Sequence, residues 1–139
     1  MSKYPKSAIG LIEEVVYPEK VVDAIKEYRS HHIWKIPLKE KISYTKKLFY
    51  ELCKIYKIDG NIVFRIDETA DDSFRSFCSG VTVVLVGKFS VITFLHEFGH
   101  LLGGDETEAV RWSINLFKKI FPRSFSQLTE SGHLLLKTK

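Results

Sequence analysis

Three features of the chain predict an α+β fold. Two long stretches near the start carry apolar residues at helical spacing, short β-branched and aromatic runs follow, and two more helical segments come after them. Helices, then strands, then helices, rather than strict alternation, argue for a small mixed sheet with helices segregated from it. At 139 residues the chain has the length of one ordinary domain with a sizeable core.

The elements follow in order. "PEKVVDAIKEYRS" opens on Pro18, and Val21, Val22, Ile25 and Tyr28 recur at helix spacing. "HHIWKIP" interrupts that pattern, and Pro37 is suited to start the next helix. In "PLKEKISYTKKLFYELCKIYK" a stripe of Leu38, Ile42, Leu48, Phe49, Leu52, Ile55 and Tyr56 faces away from the lysines. Asp59-Gly60-Asn61 signals a turn, and "NIVFRI" behind it predicts a strand. "DETADD" reads as an acidic loop, and "SFRSFCSG", with Phe74 and Phe77 in imperfect alternation, as a candidate edge strand. "VTVVLVG" is almost continuously apolar, as a strand covered on both faces should be. Helices are then expected over roughly 90–102 and 105–121, while "RSFSQLTESGHLLLKTK" carries no clear period.

Composition narrows the function classes. The net charge of +4 and pI near 9.0 are mild, and the lysines are spread along helices, so solvated faces are expected rather than a nucleic-acid surface. No run has the length of a membrane span, and "MSKYPKSAIG" lacks the apolar centre of a signal peptide, so the expected location is the cytoplasm. Cys53 and Cys78 are too few for a disulfide framework and are expected to be free thiols. Gln occurs once and Asn twice beside abundant Lys and Glu, a bias found in proteins from hot environments.

The chemistry concentrates in "FSVITFLHEFGHLLGGDETEAVRW". His-Glu-x-x-His arises by chance in about one such chain per hundred, so the surroundings decide. Ser90 is a good N-cap, and Val91, Ile92, Phe94, Leu95, Phe98, Leu101 and Leu102 make the helix apolar on nearly every side, hence buried. Two imidazoles and a carboxylate on one buried helix would each cost a few kcal/mol if left unpaired. A zinc ion removes that cost for both histidines. His96 and His100, at i and i+4, project from one face within reach of two Zn–N bonds of about 2.0–2.1 Å. Glu97 is rotated off that face, where it is suited to proton transfer rather than ligation.

A catalytic zinc takes three protein ligands and keeps a fourth position open. Asp105, Glu106 and Glu108 are the candidates for the third ligand. Gly103 or Gly104 can turn the chain after the first helix. On the next helix, Ala109, Val110, Trp112, Leu116, Phe117, Ile120 and Phe121 form a broad apolar arc with Glu106 near its middle. Glu108 falls among Arg111, Asn115, Lys118 and Lys119, on the side expected to be wet. Asp105 and Glu108 also fit a capping box. Glu106 is therefore the expected third ligand, with Glu108 its main rival.

On these residues, "HEFGHLL…ETEAVRWSINLF…P" resembles the gluzincin metallopeptidases, and most closely the short ImmA/IrrE-type peptidases and archaeal minigluzincins. Those families pair HExxH with a later helix patterned Glu-x-Glu-Ala-(Asn/Asp)-x-aromatic-small, ending in Pro. Here the pattern becomes Glu106 to Ser113, with Pro122 beyond. The resemblance covers about residues 62–122 and implies a single zincin-like domain over 1–139, with the first Glu of the second motif binding zinc. Val110 departs from the pattern, because relatives place there an Asn or Asp that braces a zinc-binding His. The spacing HExxHxxGxxE also matches a metzincin layout, but that class needs a downstream Met, and the one Met here is Met1.

The resemblance implies peptide-bond hydrolysis by a Zn2+ enzyme acting on a peptide or protein, with Glu97 as general base and substrate extended beside the sheet's edge strand. For the oxyanion donor that relatives supply from a downstream His or Tyr, the candidates are His133, Arg111 and Arg123, since no Tyr follows Tyr56. Two other classes stay open. One is a zincin-like regulatory or binding module whose zinc is mainly structural, to which Val110 and the mild basicity point. The other is a plain helical partner-binding domain without metal.

Overall fold

The computed structural model describes residues 12–69, 76–126, 128–131 and 134–137. The fold is α+β, with helices before and after a three-stranded mixed sheet in the element order and a two-stranded hairpin last. The chain divides into two compact units, Tyr17–Phe89 and the remainder, Met1–Val16 with Ser90–Lys139.

The Tyr17–Phe89 unit starts with α1 (Glu19–Ser30), capped by Pro18, and α2 (Leu38–Tyr56), which begins after Pro37. The two helices pack together, and Val21, Ile25 and Tyr28 of α1 and Leu48, Phe49, Leu52 and Cys53 of α2 are buried. The stripe expected on α2 is thus buried at its centre, whereas Leu38, Ile42, Ile55 and Tyr56 are half-exposed. Thr45 is fully buried among them, which its polarity hid. Its hydroxyl donates to the Lys41 carbonyl (2.7 Å), so the Tyr28 hydroxyl must be the donor in the 2.7 Å Tyr28–Thr45 bond. Burial pushes the Tyr28 phenol well above its ordinary range, more than the Thr45 bond lowers it. Thr45→Val keeps the shape and strands the Tyr28 hydroxyl, so it should cost about 1–3 kcal/mol in urea unfolding. A loss near zero would show that water replaces Thr45.

Three strands follow: β1 (Asn61–Ile66), β2 (Phe77–Ser79) and β3 (Thr82–Gly87), in the order β1-β3-β2. The central strand runs parallel to β1, with Val63 opposite Val84, and antiparallel to β2, with Phe77 opposite Val84. The continuous apolar run of β3 matches its place, with Val83, Val84 and Leu85 buried. The candidate edge strand is β2, at the sheet margin, with Phe77 exposed; Phe74 lies outside the described residues.

The other unit holds α3 (Val91–Leu101), α4 (Glu106–Ile120), the short α5 (Pro122–Phe125) and a hairpin, β4 (Leu128–Ser131) with β5 (Leu134–Lys137). Helices α3 and α4 pack closely, their buried faces including Phe94, Leu95 and Phe98 on one and Ala109, Ile114 and Phe117 on the other. The hairpin supplies the structure of a tail whose sequence showed no period. Among the described residues no helix is long and apolar enough to cross a membrane.

Candidate metal centre

The centre is built from two helix ends and the turn between them. Ser90 caps α3 by accepting from the Thr93 amide at 3.2 Å. After Leu101 the chain turns through Gly103, whose φ of +93° suits glycine alone, and Gly103 and Gly104 donate back to the His100 and Gly99 carbonyls. Asp105 then opens α4 with a full capping box: it accepts from the Glu108 amide at 2.8 Å, and Glu108 accepts from the Asp105 amide at 3.1 Å. Glu108 is exposed and committed to that cap, while Glu106 turns toward α3.

His96, His100 and Glu106 meet there, as the only such group of metal-capable side chains among the described residues. Nε2 of His96 lies 2.7 Å and Nε2 of His100 2.8 Å from Oε1 of Glu106, and the two nitrogens are 3.3 Å apart. Four-coordinate zinc with bonds of about 2.0–2.1 Å needs its ligand atoms roughly 3.3 Å apart. The histidine pair has that spacing already, and the carboxylate need only withdraw by about half an ångström, a small side-chain rotation.

The proton positions sharpen the fit. Nδ1 of His100 lies 3.1 Å from the Gly104 carbonyl. A carbonyl only accepts, so Nδ1 carries a proton, which leaves Nε2 as the ring nitrogen that can offer a lone pair to a metal. The same carbonyl orients the His100 ring, the part expected of an Asn or Asp in place of Val110. Val110 is instead buried beside Ile114, with Ile12 and Phe125 packed against both.

Electrostatics follow the geometry. Hydrogen bonding from His96, with further help from its charge and from His100, holds the Glu106 carboxyl down at about 2 despite partial burial. Burial acts to lower His96, but the hydrogen bond and charge of Glu106 outweigh it and the imidazole is raised overall. Glu97, outside this group and only 8 % exposed, is raised by burial, against the pull of the two histidines. The three side chains keep 16 %, 27 % and 34 % of their surface for His96, His100 and Glu106, so the group is partly open to solvent.

One expectation is corrected. Asn115, placed with the wet residues of α4, is buried: its amide donates to the Arg111 carbonyl and its oxygen accepts from the Glu13 amide, each at 2.8 Å. The segment at residues 12–13 covers this side of the helix, which a helical wheel drawn from α4 alone does not show. Arg111, a candidate oxyanion donor, has its Nε 3.0 Å from the Glu13 carboxylate, as an ion pair without an aligned hydrogen bond. Of the other two, Arg123 is exposed on α5 and His133 lies outside the described residues. Asn115→Ala should release the Glu13 anchor and cost about 1–3 kcal/mol, read by thermal or urea unfolding.

Comparison with known proteins finds no matching family model, no matching curated protein and no matching solved structure.

Proposed function

We propose that the chain is a zinc-dependent metallopeptidase of gluzincin type that hydrolyses peptide bonds of an intracellular protein or peptide. The convergence of Nε2 of His96, Nε2 of His100 and Oε1 of Glu106 to within 2.7–3.3 Å of one another, in a group partly open to solvent, carries this reading. His96, His100 and Glu106 would hold the ion, and their donor set of two imidazoles and a carboxylate suits zinc. When bound, zinc supplies Lewis acidity, which acidifies water and polarises a scissile carbonyl.

The remaining steps belong to the chain's own side chains. The Gly104 carbonyl fixes the His100 ring with Nε2 facing inward. Glu97, its proton affinity increased by burial, takes a proton from the attacking water and delivers it to the leaving amine as the C–N bond breaks. The test is a zinc determination at neutral pH together with cleavage of a peptide library before and after chelation. One zinc per chain, with cleavage lost on chelation and restored by zinc, is the expected result. A full equivalent of zinc without cleavage of any peptide supports the second reading, a regulatory or binding module with a structural ion, to which Val110 and the mild net charge of +4 point. Absence of stoichiometric zinc overturns both.

A further inference from the structure

We infer that Gly99 is a positioning residue whose missing side chain sets the distance between Glu106 and the two histidines. The inference rests on the zinc reading above. A β-carbon built on Gly99 would stand 2.9 Å from the Cα, 3.2 Å from the Cβ and 3.2 Å from the carbonyl oxygen of Ala109. Carbon atoms in good contact stand about 3.5–4.0 Å apart, so a methyl group there requires backbone to move by more than half an ångström.

That displacement falls on the metal centre. Gly99 is three residues beyond His96 and one before His100, and Ala109 is three residues beyond Glu106. On each helix the contact point and a ligand are therefore one turn apart, on neighbouring positions of the facing surface. Movement at the contact reaches the ligands almost undiminished. The connection cannot absorb it, because Gly104 donates to the Gly99 carbonyl at 3.3 Å and a β-carbon on Gly104 would sit 3.1 Å from that same oxygen. The close helix approach and the tight turn form one device, with Gly99 at its centre. A methyl at that point shifts the helix that carries Glu106 by more than the half-ångström withdrawal zinc itself asks of the carboxylate, so its oxygen no longer converges with the two nitrogens it now meets at 2.7 and 2.8 Å.

The experiment measures zinc affinity by competition with a chelating indicator, and the visible spectrum of the cobalt-substituted protein. It compares the full-length wild type with Gly99→Ala, Ala109→Val and Ile114→Ala. Gly99→Ala should weaken zinc binding about 10–100-fold and lower the intensity of the four-coordinate cobalt bands. Ala109→Val crowds the same contact from the other helix and should do likewise, which keeps the test decisive if Gly99→Ala does not fold. Ile114→Ala removes buried apolar volume elsewhere on α4 and should lower the melting temperature while leaving zinc affinity and the cobalt spectrum as in wild type. Wild-type affinity in both Gly99→Ala and Ala109→Val overturns the inference and leaves the zinc reading intact. An equal loss in Ile114→Ala also overturns it, by showing that general destabilisation suffices. A wild type that binds no zinc removes the zinc reading itself.

Discussion

Glu97→Gln should abolish peptide cleavage, by at least about 10²-fold and up to about 10⁴-fold, while the protein still carries one zinc per chain. The amide fills the space of the buried carboxylate, so packing around this 8 % exposed side chain is preserved. What disappears is the ability to accept a proton. Because Glu97 lies outside the group that His96, His100 and Glu106 form, metal content and cleavage are expected to separate in this variant. Cleavage at the wild-type rate in Glu97→Gln would contradict the assignment. Loss of zinc together with activity would instead make Glu97 a ligand, against the geometry.

Glu106→Ala should have the opposite signature, with zinc lost and cleavage lost with it. The metal's contribution to stability should vanish too. Free zinc at 100 times its dissociation constant stabilises a folded protein by about 2.7 kcal/mol at most, the value reached when the unfolded chain binds none, and loss of the thermal shift on zinc addition reports the lost site. Glu108→Ala is the matched control. It breaks the reciprocal cap with Asp105, should cost about 1 kcal/mol, and should retain zinc. Retention of zinc in Glu106→Ala and its loss in Glu108→Ala would exchange the two roles.

Much of this arrangement was legible in the sequence because it is local. The Ser90 cap, the Asp105–Glu108 box and the bounds of α3 and α4 depend on residues within a few positions of one another, and such signals survive in a linear pattern. The separation of Glu106 from Glu108 was readable for the same reason, since it follows from helical phase. What was not legible depends on neighbours remote in sequence. Asn115 is buried because the Glu13 backbone, 102 residues away, lies over it. Thr45 sits in the core because Tyr28 needs an acceptor there. The Gly104 carbonyl as the brace for His100 could have been suspected from the Gly-Gly turn, but a backbone group has no letter of its own. Gly99 was visible as a glycine within a helix, a placement that costs about 1 kcal/mol relative to alanine and so asks for a reason. The reason is Ala109, and only the packed helices reveal it.

All three side chains of the metal-capable group come from one short segment, His96 and Glu106 being only ten positions apart. Closing so short a loop costs little chain entropy, and that cost grows only with the logarithm of loop length. The unfolded chain can therefore gather part of the same ligand set. Binding to the unfolded state subtracts from the stabilisation that binding to the folded state provides. The thermal shift on zinc addition should accordingly fall below the value calculated from the native-state affinity, and zinc should remain associated with this segment after the helices melt.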